Sequence, residues 1–288
     1  MVARLIHRYG VADSLFPAAR LAELGDIKPD SDVFFGLKSS PSAAAVARAL
    51  RDAAHLESKG SMVDFRQCDA SVDRQRLDLG NLDEARGASA VAAATLDIVR
   101  RGGRPVLLGG AMTDAFACFE STLQASSHDI VRVLVVSPGL DWAHHSCRLG
   151  PRSQTLAIGT HDFVPRESID RLRNAGGVML SAYAFSAQGV PALRNLLDAG
   201  SGGGTPIFAI IDMSSIDMGH AAGADRDNVG GLDPSEFLSI IDAVAVGQQL
   251  LGAVVAHLAP ERDPRGHSER LAARALLGLL DPQPRGDG

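Results

Sequence analysis

The sequence has few of the features that mark secreted or membrane-spanning proteins. Its three cysteines, Cys68, Cys118 and Cys147, lie far apart and include no C-x-x-C pair. This spacing excludes a disulfide framework and a cysteine zinc site, and is typical of buried or free thiols in a reducing compartment. No apolar run approaches the roughly 20 residues that span a bilayer, and the first ten residues lack the apolar core of a signal peptide. We therefore expect a cytoplasmic protein that does not enter a membrane.

Charge and aromatic content are also low. The net charge is −6, without a long run of either sign, and only 5% of the residues are aromatic. A basic patch with interleaved aromatics is missing, so nucleic acid is not an expected partner. What the sequence does have is size: 288 residues with 45% hydrophobic content can bury a large core. We predict one domain over residues 1–288, with a frayed tail at Asp281–Gly288.

Short apolar runs alternate with helical patterns along the whole chain. This alternation predicts an α/β fold with a mostly parallel sheet of about eight strands. The predicted strands are Asp32–Gly36, Gln75–Leu79, Pro105–Leu108, Val131–Val136, Gln154–Ile158, Val178–Ser181, Pro206–Asp212 and Gly252–Leu258. A long irregular stretch, Met213–Gly231, directly follows one of these strands. Because loops at the carboxyl ends of parallel strands form the ligand crevice, we expect any chemistry there.

Five segments at the predicted strand ends share a pattern of glycine and acidic residues. They are Asp78-Leu-Gly-Asn81, Pro105-Val-Leu-Leu-Gly-Gly110, Val131–Asp141, Asp212–Leu232 followed by Glu236, and Pro260-Glu-Arg-Asp-Pro264. In this order they resemble the motifs of the ureohydrolase family of arginases, agmatinases and formimidoylglutamases. The resemblance implies a three-layer α/β/α fold, assembly into a homo-oligomer such as a trimer or hexamer, and two Mn²⁺ ions that share a hydroxide and activate it for hydrolysis.

The metal positions implied by the resemblance are mostly substituted. Four of the family's six ligands are replaced, and the two retained are Asp141 and Asp212; the replacements are Met112, Ser137, Gly139 and Ser214. Mn²⁺ prefers several carboxylate and imidazole ligands, and a thioether is a poor substitute. Loss of even a supporting partner weakens metal binding ~10–100-fold. We therefore expect a degenerate site without a manganese pair and no other cofactor.

Other positions that the resemblance implies are retained. Glu236 matches the carboxylate that pairs with the substrate guanidinium, a geometry that suits a planar cation. A first-turn acid favoured by the helix dipole is the alternative interpretation. Asp217 matches a structural aspartate, which with Gly230 and Gly231 is expected to brace the long loop.

The leading hypothesis is a non-catalytic pseudoenzyme of this family. It would bind a small cationic, guanidino-type ligand near Glu236, or assemble with and regulate a catalytically competent partner subunit. The alternative is an active hydrolase of a non-peptide C–N bond in a guanidino, formimino or amide compound. That enzyme would hold a single divalent metal ion at Asp141 and Asp212 with His144, His145 or His161. His257 is predicted to be a core histidine.

Overall fold

The computed structural model describes residues 24–37, 43–50, 75–82, 87–146, 148–198 and 204–280. Eight parallel strands form one sheet in the order β2-β1-β3-β8-β7-β4-β5-β6. The strands are β1 (Asp32–Leu37), β2 (Arg76–Leu82), β3 (Arg104–Leu108), β4 (Val131–Val136), β5 (Ser153–Thr160), β6 (Val178–Ser181), β7 (Ile207–Asp212) and β8 (Leu250–Ala256). The predicted eight-stranded parallel sheet is therefore confirmed.

Helices cover both faces of the sheet. They are α1 (residues 43–50), α2 (Ala88–Arg100), α3 (Met112–Ala125), α4 (Ala143–Ser146), α5 (Arg166–Asn174), α6 (Ala182–Asp198), α7 (Pro234–Ala245) and α8 (His267–Leu280). Helices α1, α6, α7 and α8 pack in the core on one face, and α2 to α5 pack in the core on the other. This arrangement is the predicted three-layer α/β/α fold. None of the described helices is long and apolar enough to cross a membrane.

The central strands alternate their side chains between these two cores. In β3, Val106 and Leu108 enter one core and Leu107 enters the other. Every residue of β3, β4 and β7 is buried, which explains why their sequences are almost continuous apolar runs. Because helices cover both faces of the sheet, ligands can reach the central strands only at their ends, here called the amino edge and the carboxyl edge of the sheet. The carboxyl edge is therefore the accessible place for a site between the loops.

Helix α6 contains a backbone break, and α3 contains a buried cysteine. Helix α6 begins at Ala182, directly after β6, and its backbone breaks at Gly189, which has a φ of 65°. The cysteine prediction can be judged only in part, because Cys68 and Cys147 lie outside the described residues, as does Asp281–Gly288. Cys118 is a buried free thiol on α3, and burial raises its pKa to about 12 despite a hydrogen bond from Thr95.

Candidate functional site

Four adjacent strands at the centre of the sheet bring the candidate residues to one edge. The order β3-β8-β7-β4 places the residues that follow these strands side by side. Met112 follows β3, His257 follows β8, Asp212 ends β7 and Ser137 follows β4. The loop Met213–Gly231, here called the crevice loop, starts at the same point. Positions that are far apart in the sequence thus meet in one crevice.

Asp212 is the buried centre of the crevice, with 1% of its surface exposed. Its Oδ1 accepts a hydrogen bond of 2.9 Å from the backbone N–H of Ser214. Its Oδ2 accepts one of 3.2 Å from the Ser137 hydroxyl, and Nδ1 of His257 lies 3.0 Å from the same oxygen. The carboxylate therefore accepts two hydrogen bonds and faces a histidine ring, and these groups come from three different segments of the chain.

His257 is a site residue that the sequence analysis did not identify. It is nearly buried, as a core histidine would be, but its ring faces Asp212 in the crevice. Its Nδ1 makes a close polar contact there and not a well-aligned hydrogen bond, since no hydrogen bond satisfies that atom among the described residues. Burial lowers the pKa of His257, but the contact with Asp212 and its charge outweigh burial and raise the pKa overall. Its position directly after β8 was the signal that could have found it.

The backbone at His257 is also unusual. Its φ of 55° is in the left-handed region, which is uncommon for a residue with a side chain. The backbone N–H donates to the carbonyl of Gly110 at 3.2 Å, and the carbonyl accepts from the N–H of Asp225 at 2.9 Å. Strained residues of this kind persist where their surroundings over-determine them, often in functional sites. These two bonds connect the end of β3 with the crevice loop.

Asp141 is held by an arginine from the crevice loop. Nη2 of Arg226 donates to Oδ2 of Asp141 at 2.6 Å, and the side chains are 39% and 54% exposed, respectively. Burial alone would raise the pKa of Asp141, but the hydrogen bond and the charge of Arg226 lower it overall. Arg226 was absent from the sequence-based site because no family motif marks it. Its only signal was a single basic residue between Asp225 and Asp227.

The positions that the family resemblance assigns to lost metal ligands either make other contacts or leave space. The Ser214 hydroxyl accepts from the backbone N–H of Arg226 at 3.3 Å, and the carbonyl of Ser214 accepts from Asn228 at 3.0 Å. Met112 is the first residue of α3 and is buried. A Cβ at Gly139 would meet nothing nearer than Oδ1 of Asp141 at 4.0 Å. The crevice therefore has room for a side chain at Gly139, but glycine itself offers no side-chain atom that could bind a metal ion.

The three histidines of the mononuclear hypothesis have separate surroundings. His145 stacks on Phe116 of α3, with ring centroids 4.6 Å apart. His144 contacts the backbone carbonyl of Asp141 through Nδ1 at 2.9 Å, not its carboxylate. His161 contacts the carbonyl of Gly159 through Nδ1 at 2.8 Å. None of these contacts places a histidine nitrogen beside the two retained carboxylates.

Asp217 ties together the two ends of the crevice loop. Its Oδ1 accepts from the N–H of Gly219 and its Oδ2 from the N–H of Gly230, both at 2.8 Å. These bonds lower the pKa of Asp217. At Gly231 a Cβ would lie 2.7 Å from the backbone N of Asp217, so only glycine fits. The contacts are those that a loop-bracing role requires.

Glu236 begins α7 and takes part in its capping box. Oε2 of Glu236 accepts from the N–H of Asp233 at 3.0 Å, and Oδ1 of Asp233 accepts from the N–H of Glu236 at 2.8 Å. This satisfies two amide donors that a helix start leaves open. Among the described residues, Oε1 of Glu236 has no such partner. The carboxylate therefore stabilises the helix and still has one oxygen available for a ligand.

The donor set does not fit the two manganese ions that the family motifs imply. Asp141 is ion-paired to Arg226, and Asp212 already accepts two hydrogen bonds and lies beside the His257 ring. The replaced positions offer a thioether, two hydroxyls and a glycine, which are not the ligands that Mn²⁺ prefers. Across the described ranges, no three His, Cys, Asp or Glu residues are grouped so that they could hold a metal ion.

Comparisons with known proteins agree with this fold. The family model "Arginase family" matches residues 141–280. A human mitochondrial guanidino acid hydrolase is 31% identical over 83 residues, which are 29% of this chain. That match spans only 23% of the length of the human protein.

Solved structures are similar over nearly the whole chain. Proclavaminate amidino hydrolase from Streptomyces clavuligerus has a TM-score of 0.70 at 19% identity, covering 88% of this chain and 91% of its own. The T. brucei arginase-like protein has a TM-score of 0.69 at 15% identity, covering 100% and 98%. At these identities the similarity establishes the fold and no shared activity.

Proposed function

We propose that this chain is a non-catalytic member of the arginase family in which side chains of the protein have taken over the contacts of the metal crevice. The observation that carries this proposal is the state of Asp212. Its carboxylate faces Ser137, the backbone N–H of Ser214 and His257, all within 3.2 Å. Two-metal hydrolysis needs a hydroxide bridged between ions. With four ligand positions substituted, the crevice lacks the donors that would hold such a pair.

The ligand that we propose is a small guanidino-type cation bound near Glu236. The crevice loop carries Asp217, Asp225 and Asp227; Asp227 pairs with Arg262, and the charges of the other two favour a cation at this edge. Oε1 of Glu236 could accept from a guanidinium while Oε2 keeps the helix cap. The names of the human guanidino acid hydrolase and the Streptomyces amidino hydrolase favour the same chemical class of ligand.

A second candidate function is assembly with a catalytically competent partner subunit. Exposed apolar side chains lie beyond the ends of β5, β6 and β7: Phe163 is 101% exposed, Tyr183 in the first turn of α6 is 86% exposed, Val229 is 79% exposed and Met218 is 40% exposed. Apolar side chains this exposed near one edge favour a protein contact. The active mononuclear hydrolase has less support, because His144, His145 and His161 each contact other groups.

Elemental analysis and a urea-release assay test the proposal together. After dialysis against Mn²⁺, we expect far less than one manganese per chain, and no metal-stimulated release of urea from arginine or agmatine. Two manganese ions per chain would overturn the loss of the metal site. Metal-stimulated turnover of either substrate would overturn the loss of catalysis.

A variant with the family's metal ligands restored serves as a positive control for the expected absence of manganese. Met112→His, Ser137→Asp, Gly139→His and Ser214→Asp combined restore the family's ligand types, and Arg226→Ala removes the competing cation. We expect this variant to gain manganese relative to the wild type.

A further inference from the structure

The crevice loop has a closed base, so its course across the crevice is fixed. Ile216 pairs with Leu232 in an isolated parallel bridge. The N–H of Asp217 donates to the carbonyl of Leu232 at 3.0 Å, and the N–H of Leu232 donates to the carbonyl of Ser215 at 2.9 Å. The two ends of the loop are thus hydrogen-bonded to each other beside the end of β7. The residues between them form one continuous arch.

Side chains and backbone groups outside the arch hold its middle in place. The N–H of Asp225 donates to the carbonyl of His257 at 2.9 Å. Nη1 of Arg262 donates to the carbonyls of Ala224 and Asp225, both at 2.9 Å, and its Nη2 pairs with Asp227. The backbone of Arg226 therefore lies between anchored neighbours, and its own N–H reaches the Ser214 hydroxyl.

The side chain of Arg226 crosses from this arch to the loop after β4. Its guanidinium meets Asp141, 85 residues earlier in the chain, at 2.6 Å. The hydrogen bond to Asp141 is the main reason that its pKa is raised, and the negative charges of Asp141, Asp212 and Asp162 contribute. A single guanidinium thus lies in the combined field of three carboxylates, two of which are the retained metal positions.

We propose that the former metal crevice is now a guanidinium-binding site, and that the chain's own Arg226 is its resident ligand. The site consists of the Asp141 carboxylate as the direct acceptor, Asp212 as a second negative charge that acts on the guanidinium, and Ser214, whose hydroxyl accepts from the backbone N–H of Arg226. It would take a free guanidinium ion, or a mono-substituted guanidinium, once Arg226 is removed. The proposal rests on the proposed function, because it takes the crevice to be free of metal ions.

The serine substitutions contribute to the same conversion. An aspartate at position 137 would place a second carboxylate within hydrogen-bond distance of Asp212, where the serine hydroxyl now lies at 3.2 Å. Two carboxylates that close require cations to balance them. With serine at 137 and at 214, two carboxylates fewer lie in the crevice, so less positive charge is needed there than two metal ions would supply, and Arg226 supplies one positive charge.

Chemical rescue of Arg226→Ala with guanidinium chloride tests the inference. Removing the half-exposed ion pair should lower the melting temperature by about 2–4 °C, which corresponds to roughly 1 kcal/mol. Millimolar guanidinium chloride should recover part of that loss relative to equal sodium chloride or urea. In calorimetric titration, the variant should bind guanidinium at least about tenfold more tightly than the wild type, whose site is occupied.

Two controls make the result specific to the crevice. Arg171→Ala breaks an exposed arginine–glutamate pair on α5 and should lower the melting temperature less than Arg226→Ala does, without any rescue by guanidinium. Adding Asp141→Asn to Arg226→Ala should abolish the rescue. If Arg226→Ala does not fold, Arg226→Gln, which keeps much of the side-chain length without the charge, takes its place.

The failures of the two proposals can be told apart. Rescue that survives Asp141→Asn, or equal guanidinium affinity in wild type and Arg226→Ala, would overturn the resident-ligand inference alone. Recovery of Arg226→Ala by Mn²⁺ in place of guanidinium would overturn it as well. Two manganese ions in the wild-type chain would instead overturn the proposed function.

Discussion

Both edges of the sheet hold an arginine–aspartate pair, but the two pairs have opposite surroundings. At the amino edge, Arg104 of β3 contacts Asp32 of β1, its register partner, at 2.5 Å, and the side chains are only 7% and 0% exposed. At the carboxyl edge, Arg226 and Asp141 are 39% and 54% exposed. The first pair joins neighbouring strands, whereas the second joins two loops.

The difference shows how the same two residue types can stabilise a fold or occupy a site. Nη2 of Arg104 also donates to the carbonyl of Leu280 at 3.1 Å, which ties the sheet to the end of α8. A buried charge that loses its partner cannot be solvated, so that pair cannot be exchanged for a ligand. The exposed pair at the carboxyl edge is solvated on either side and can be replaced at low cost.

The largest expected effect comes from breaking the buried pair. Arg104→Leu would leave the Asp32 carboxylate in the core without the guanidinium. We expect a loss of about 3–5 kcal/mol in the free energy of unfolding, measured by urea denaturation. Arg171→Ala, in an exposed pair, should cost about 0.5 kcal/mol or less. Equal costs for the two variants would remove the distinction between the edges.

A second prediction concerns His145, a mostly buried titratable residue, and tests whether such a group at the carboxyl edge also affects the free energy of unfolding. His145 lies near the carboxyl edge, but its side chain is only 12% exposed, and Glu120, His144 and Arg148 are its titratable neighbours. Burial, followed by the charges of His144 and Arg148, lowers its pKa from 6.5 to about 4. The unfolded chain therefore takes up a proton before the folded chain does. Stability should fall by roughly 2 kcal/mol as pH drops from 6.5 to 4.

The variant that checks this prediction is His145→Phe. It keeps an aromatic ring against Phe116 and removes the titrating nitrogen. Urea denaturation at a series of pH values should show a flatter decline for the variant than for the wild type over that window. Identical slopes would assign the acid sensitivity to other groups.

The sheet could be predicted from the sequence because its strands are buried on both faces. Val131–Val136 and Val178–Ser181 have the predicted bounds, and the other six strands overlap their predictions. Strand burial leaves a continuous apolar signal that needs no knowledge of partners. Loop contacts leave no such signal. The approach of Arg226 to Asp141 depends on an arch fixed by backbone bonds, which no spacing in the sequence encodes.

The same limit applies to Glu236 and His257. The sequence allowed two interpretations of Glu236, a ligand-binding carboxylate and a helix-start acid. The capping box with Asp233 supports the helix-start role and is compatible with ligand binding. His257 was predicted as a core residue because the predicted strand Gly252–Leu258 included it, whereas β8 ends at Ala256. Its ring faces the crevice because the strand ends at Ala256 and the next backbone step is left-handed.

A smaller effect should follow from loosening the crevice loop at the carboxyl edge. Asp217→Asn removes the charge that strengthens two hydrogen bonds, so we expect a loss of about 0.5–1 kcal/mol at neutral pH. Those bonds hold the pKa of Asp217 below its ordinary value. Their contribution is therefore present at neutral pH and lost as pH falls through the lowered pKa. Thermal melts should show the two proteins converging in acid, and a constant difference would contradict this origin.

The smallest effect on folding should come from Glu236→Gln, which separates ligand binding from stability. Glutamine can still accept from the N–H of Asp233, so α7 should keep its cap. The lost charge should weaken binding of a guanidino ligand roughly 10–150-fold, the equivalent of ~1.5–3 kcal/mol. A thermal-shift titration with guanidino and amino compounds on wild type, Glu236→Gln and Asp217→Asn measures the split. Loss of ligand response in Glu236→Gln alone supports the ligand site, because Asp217→Asn should lower the melting temperature and keep the response. Equal loss in both variants, or a shift indifferent to Glu236, would leave assembly with a partner subunit as the better account of this crevice.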